Sequence, residues 1–523
     1  MSPSPERLFS RKLLPLWLLL FLCCGFVLNS GNVPLFDLDE GAFSEASREI
    51  IESGVWSATY LDGQPRYDKP ILTYWLQATS VTLFGLNEFA LRLHSMVFAL
   101  LWAVAVGLFC RQFINRRSAA VAVMIFSSTL LITMIGRAAT ADAVLNCFIA
   151  LTLFDIYRYQ RSDQRQYLWR SWLWLSLGML TKGPVAAGIP LLVSGIWFFS
   201  LGEQQRWFKA IFNPKGWAIL LMILSPWLYF IWQEQGSGFF YGFLVDHNFN
   251  RFTETREGHG GQWFYYFVLL PIGLLPYSGI LLTLATRLRQ LWSRPFERLL
   301  LIWFVVVFVL VSMSRTQLPH YVLYGVTPLI ILFAKYRQLI RGQFWQLIFP
   351  ASFIALQIGL YIYSRQLPDP SANAYMQEML ANASAVFNTP FLLAIIALSA
   401  ALLFLSFYPC LMWKKLVAAG LLQMLFCYFL LIPAIGQLQQ QPVKNAGLLA
   451  RDINPDFVAH KINMPSFSVY HRAITERRAA NHGDYVFTRS DKLADLRAQF
   501  GPEQVQLLYR QGGIVLLKIG DAK

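Results

Sequence analysis

Apolar stretches long enough to cross a lipid bilayer recur along the chain up to about residue 433, and short loops bearing Lys/Arg or Pro/Gly separate them. A bilayer core of about 30 Å takes about 20 helical residues, so the pattern predicts an α-helical polytopic membrane protein. Composition agrees: of 523 residues, 56% are hydrophobic and only 14% charged, too apolar for an ordinary soluble chain. About thirteen transmembrane helices are predicted, at 13–30, 93–110, 118–136, 142–157, 170–181, 184–201, 216–233, 263–286, 297–313, 321–336, 343–363, 389–408 and 414–433.

The first run follows Arg7, Arg11 and Lys12. No small-residue cleavage pattern comes after it, so it reads as an uncleaved first helix with a cytoplasmic N-terminus and not as a signal peptide. The loops 111–117, 158–170, 202–215, 287–298, 335–342 and 409–415 then fall on the cytoplasmic side. Each holds at least two basic residues, nineteen Lys and Arg in all, as the positive-inside rule expects. The same rule accounts for the formal charge of +15 without a nucleic-acid partner. Cys23, Cys24, Cys110, Cys147, Cys410 and Cys427 lie in or at the ends of apolar runs, with no metal-ligand spacing and no disulfide framework.

The opposite side receives a long first loop, 31–92, short loops near Asp142, Lys182 and 315–320, longer loops 234–262 and 364–388, and the tail. In the first loop, 41–52 and 70–84 are expected as amphipathic helices on the membrane surface. The tail from 434 to 523 is polar and reads as a small soluble C-terminal α/β domain. Phe467–Tyr470, Tyr485–Thr488, Val505–Tyr509 and Ile514–Ile519 are its alternating runs.

Chemistry-bearing residues gather on that outer side. Asp37, Asp39 and Glu40 place three carboxylates within four positions just beyond the first helix. Such clustering is unfavourable unless the carboxylates face water, a cation or a proton-bearing substrate; a helix N-terminal turn is the structural alternative. Arg66–Pro70, Gly136–Asp142, Thr181–Pro184, Asp246–Phe252 and Ser314–Tyr321 follow. Singly, Lys182 and Arg315 are explained as snorkelling at helix ends and Asp142 as a helix cap. Together, six distant segments put acids, cations, His and Tyr on one face against the charge bias. That marks a site where cations hold a lipid phosphate and carboxylates hold or deprotonate an acceptor.

These residues resemble the GT-C glycosyltransferases of the protein-mannosyltransferase and lipid A aminoarabinose-transferase type. The matching pieces are Asp39-Glu40, Tyr67-Asp68-Lys69-Pro70 with Tyr74-Trp75, Asp142, Lys182-Gly183 and Leu318-Pro319-His320-Tyr321, in order over roughly the N-terminal two-thirds. The resemblance implies an inverting glycosyltransferase that moves a sugar from a polyprenyl-monophosphate donor, undecaprenyl-linked in a bacterium, to lipid A or another envelope glycolipid on the periplasmic face of the inner membrane. By resemblance Asp39 is the key catalytic carboxylate, with Glu40 beside it. Asp142 supports acceptor positioning, and Lys69, Arg251 and Tyr321 bind the donor phosphate; Lys182 and Arg315 are added to them as cations on the same face. No cofactor is required; Asp68 and His247 are the counterparts of residues that hold a divalent metal in some relatives, and ordinary hydrogen bonding is the favoured alternative for two ligands.

One departure stands out: aminoarabinose transferases continue the Asp-Glu pair, after one residue, with Arg-Tyr, where this chain has Ala42-Phe43 after Gly41. A protein O-mannosyltransferase is the alternative within the enzyme class. A transporter or a lipid-binding scaffold is the alternative outside it, but neither mid-membrane ionisable residues nor matching helix breaks point to transport.

Overall fold

Helices follow the apolar runs throughout the computed structural model, which describes residues 13–250, 262–340, 342–366, 369, 371–454 and 456–521. Among these, six helices are long and apolar enough to cross a membrane: Glu88–Phe113, Pro214–His247, Pro295–Met313, Gln343–Tyr363, Thr389–Phe407 and Met412–Gln439. Leu14–Val27 and Val185–Ser200 are shorter apolar helices. The chain is thus a mostly helical, multi-pass membrane protein.

Several predicted spans take a different form. The run 118–136 divides into α5 (Arg116–Phe126) and α6 (Leu130–Ile135), where Ser128 and Thr129 turn their hydroxyls onto the backbone carbonyls of Met124 and Ile125. The run 263–286 breaks into Tyr265–Gly273 and Ile280–Ala285; Pro276 between them has no N–H to continue a helix. The run 321–336 begins as a 3₁₀ helix, Pro319–Gly325, before Val326–Tyr336. The last span does not stop at 433 but runs on to Gln439 and leads directly into the tail.

The first loop folds as α2 (Asp39–Ser53), a two-strand turn of β1 (Tyr60–Leu61) and β2 (Gln64–Pro65), and α3 (Leu72–Phe84). Both helices were expected, and α2 is enclosed within the protein. Every residue from Glu40 to Ile50 is buried, because α3 covers one side and the tail helix Ser466–His471 the other.

The tail builds a five-stranded mixed sheet in the order β4-β3-β5-β7-β6. Its strands are β3 (Phe457–Ala459), β4 (Glu476–Arg477), β5 (Tyr485–Arg489), β6 (Val505–Gln511) and β7 (Ile514–Ile519). β3 pairs parallel with β4 and β5, and β7 antiparallel with β5 and β6. Phe467–Tyr470, read from its alternation as a strand, is helical instead. Four residues cannot separate a strand from one face of a helix, and the segment starts at Pro465 and is closed by Arg472 in the left-handed region, φ 61°.

Candidate active site

Two cavities lie side by side where the ends of the helices meet the first loop. The first, about 270 Å³, is lined by Asp37, Asp39, Glu40, Arg92, Arg137, Asp142 and His320 among others. The second, about 140 Å³, is lined by Asp68, Lys69, Lys182, His247, Tyr321 and Tyr324, with Val185, Ile189, Phe243, Val307, Leu310 and Val311 as its apolar side. The first is carboxylate-rich. The second joins cations to an apolar groove.

The wall between them is a hydrogen-bonded cluster. Asp142 opens α7 (Asp142–Ser162) and Lys182 closes α8 (Arg165–Lys182), so the N-terminal dipole of one helix and the C-terminal dipole of the other favour these charges. Lys182 Nζ donates to Asp142 Oδ1 at 2.6 Å and to the Tyr324 hydroxyl at 2.9 Å; that hydroxyl donates to Asp142 Oδ1 at 2.9 Å. His320 Nε2 stands 3.6 Å from Asp142 Oδ2. Lys182 also lies 5.3 Å from the Tyr321 ring centroid. Gly183 makes the close approach possible: it sits at φ +74°, and a Cβ there would come within 2.2 Å of the Phe243 ring.

On the second cavity's rim, Lys69 Nζ donates to Asp68 Oδ1 at 2.5 Å and Arg66 to Asp68 Oδ2 at 3.1 Å. His247 Nδ1 lies 3.2 Å from Asp68 Oδ1. Asp68 and His247 therefore meet as expected of a ligand pair, but no third His, Cys, Asp or Glu joins them among the described residues. Two donors fall short of the roughly three or four protein ligands a zinc-type centre takes.

Asp39 and Glu40, adjacent in sequence, are in opposite situations. Asp39 is the first residue of α2, exposed, and its side chain makes no hydrogen bond or ion pair among the described residues. Glu40 is buried. Oε1 accepts from Arg92 Nε at 2.8 Å and the Ala139 N–H at 2.7 Å, and Oε2 from Arg92 Nη2 at 2.6 Å and the Phe36 N–H at 2.9 Å. All four acceptor positions of the carboxylate are occupied. Arg92 continues to the carbonyls of Ser30, Val33 and Pro34. Expected as a catalytic carboxylate, Glu40 is by its contacts a structural anchor that ties the first loop to α4 (Glu88–Phe113), and Arg92 holds it well below the usual carboxylate range.

Of the other expected residues, Asp142, Lys69, Lys182 and Tyr321 line the cavities. Arg315 is exposed and lines neither, because the 3₁₀ helix that aims His320 and Tyr321 inward starts only at Pro319. Arg251 lies outside the described residues. Tyr324 and Arg92 were not singled out in the sequence. For Tyr324 a signal exists: three residues apart on a 3₁₀ helix, side chains eclipse, and the rings of Tyr321 and Tyr324 stack at 6.1 Å.

Fold and site together define a polytopic membrane protein with a paired acidic and cationic-apolar cavity at one end of its helices. Its architecture is that of the crystal structure of ArnT from Cupriavidus metallidurans bound to undecaprenyl phosphate, with a TM-score of 0.78 over 97% of this chain and 98% of that one, at 19% identity. Residues 68–230 match the family described as dolichyl-phosphate-mannose-protein mannosyltransferase. The chain is also 30% identical over 337 residues to the undecaprenyl phosphate-alpha-4-amino-4-deoxy-L-arabinose arabinosyl transferase of Edwardsiella ictaluri, across 62% of this chain and 60% of that protein. Over 329 residues it is 30% identical to a second such transferase from Proteus mirabilis, across 61% and 58%. The chain thus spans about three-fifths of the length of the curated relatives it matches.

Proposed function

We propose that this protein is an inverting glycosyltransferase that moves a sugar from a polyprenyl-monophosphate donor to an acceptor in the bacterial envelope. The observation that carries the reading is the shared wall: Asp142, Lys182 and Tyr324 separate a cationic pocket with an apolar groove from an acidic pocket with a free carboxylate. The names of the similar proteins point the same way: the sequence relatives are described as undecaprenyl phosphate-aminoarabinose transferases, and the similar crystal structure holds undecaprenyl phosphate.

In this mechanism the polyprenyl chain lies along the groove of Val185, Ile189, Val307, Leu310 and Val311, and the donor phosphate rests at Lys69, Lys182 and Tyr321. Those groups offset the charge that grows on the phosphate as its bond to the anomeric carbon breaks. The acceptor enters the first cavity. Asp39 accepts the proton of its hydroxyl, or orients it if it is an ionised phosphate, for attack on the face opposite the departing phosphate. One displacement inverts the anomeric centre and releases polyprenyl phosphate. Arg251 keeps the phosphate-side role implied by the resemblance.

The membrane part, 1–433, crosses the bilayer about thirteen times, and the site and the C-terminal α/β part, 434–523, face the periplasm. Lipid A or another glycolipid is the acceptor implied by the resemblance of the site residues to lipid A aminoarabinose transferases; the match over 68–230 to the family described as dolichyl-phosphate-mannose-protein mannosyltransferase favours a protein as the second reading.

The reading is tested by incubating the purified protein with undecaprenyl-phosphate sugars and measuring release of undecaprenyl phosphate, together with mass spectrometry of envelope lipids and glycans from cells with and without the gene. An envelope that keeps every sugar, and donors left intact, rule it out. Topology has its own check. Arg315→Cys is expected to react with a membrane-impermeant thiol reagent added to intact spheroplasts, and labelling only after lysis would reverse the orientation.

A further inference from the structure

The turn that carries Asp39 is held by the far end of the chain. Asp37 Oδ1 accepts the Ser466 backbone N–H at 3.0 Å, and the Ser466 hydroxyl donates to Asp37 Oδ2. With its amide nitrogen turned to the loop, Gln440 donates to the Leu35 carbonyl at 3.1 Å and to Asp37 Oδ2 at 3.3 Å. The Tyr470 hydroxyl accepts the Leu35 N–H at 2.9 Å and donates to Glu88 at 3.1 Å, and Lys444 pairs with the same carboxylate. Ser466 is wholly buried.

Backbone packing shows how tight this clasp is. A Cβ on Gly41 would come within 2.1 Å of Asp37 Oδ1 and 2.6 Å of the Ser466 backbone nitrogen. The glycine directly after Asp39-Glu40 is therefore the space that the tail helix occupies. Burial pushes the Asp37 carboxyl up to about 7, with Glu40 and Asp62 adding to the rise and the two Ser466 donors opposing it. Asp37 is a costly residue to enclose without a partner, and the tail supplies the partners.

We propose that the C-terminal region is a positioning element of the site, in which Ser466, through Asp37, fixes the turn that presents Asp39 to the first cavity. The proposal rests on the reading of Asp39 given above. Ser466 and Asp37 are positioning residues; neither reacts.

The test compares the full-length wild type with Ser466→Ala and Asp37→Asn in nanodiscs. An asparagine at 37 keeps both Ser466 contacts, since its carbonyl accepts the Ser466 N–H and its amide donates to the Ser466 oxygen, and gives up only the Gln440 contact at 3.3 Å. Hydrogen–deuterium exchange of the peptide spanning 35–43 is expected to be several-fold faster in Ser466→Ala than in the wild type, and near wild-type in Asp37→Asn. In the donor-turnover assay, Ser466→Ala is expected to lose about ten- to a hundredfold in kcat with donor KM unchanged, the scale of a misplaced reacting group. Unchanged exchange in Ser466→Ala overturns the proposal whether or not the transferase reading stands. A kcat in Ser466→Ala equal to that of the wild type, with exchange of 35–43 raised, also overturns it, because the clasp would then hold the turn without positioning Asp39. A wild type without transferase activity defeats the functional reading alone, and the exchange comparison still decides the clasp.

Discussion

Asp39→Asn is expected to lower sugar transfer by about a thousandfold, the scale of removing a general base, and to leave the protein folded. The residue is exposed at the start of α2 and has no hydrogen-bond or ion-pair partner among the described residues, so an isosteric amide removes charge without removing a hydrogen bond. Its fold cost is the helix-dipole contribution, about 0.3–1 kcal/mol, together with the loss of its attraction to Lys182 and His320. The neighbouring substitution Glu40→Gln is the control. It weakens four hydrogen bonds, two from Arg92 and two from the Ala139 and Phe36 N–H groups, and so lowers thermal stability and activity together. Measured kcat and thermal unfolding in detergent separate the two cases; full turnover in Asp39→Asn removes this carboxylate from the chemistry.

Lys182→Met is expected to be the most damaging single change in the wall. It strips the Asp142 carboxylate of its buried cation at 2.6 Å, and breaking such a pair from one side costs about 3–5 kcal/mol. It also removes a phosphate-facing charge from the second cavity. The double variant Asp142→Asn/Lys182→Met leaves no orphaned charge, so most of the stability returns. Activity does not, because the donor phosphate still lacks its cation. Recovery of both together would mean that the pair only supports the fold.

Much of this site was legible before folding. Positive-inside charge bias predicts a side for each loop, so the cations Lys69 and Lys182 stand out against it, the acids Asp39 and Asp142 stand out by the segments they share with that face, and all four line the two cavities. Arg315 defied the bias equally and faces solvent. A side-level argument cannot tell a residue at the cavity from one a turn away. Glu40 shows the converse limit. Its sequence neighbourhood is the same as that of Asp39, but a helix rotates successive side chains by about 100°, so that on one cavity wall Asp39 is left without a hydrogen bond among the described residues while Glu40 is bound to Arg92.

Hydropathy and charge, which depend only on local composition, determined that the chain is a membrane-embedded helical protein, where its polar segments fall, and which of them gather candidate site residues. Contacts between residues 52 to 429 positions apart were decided by the tertiary structure alone. Tyr324 meets Asp142, Arg92 occupies all of Glu40 that other donors leave free, and Ser466 holds Asp37. Such pairings follow from how helix ends and the tail sheet pack, and neither periodicity nor charge records which buried donor meets which acceptor.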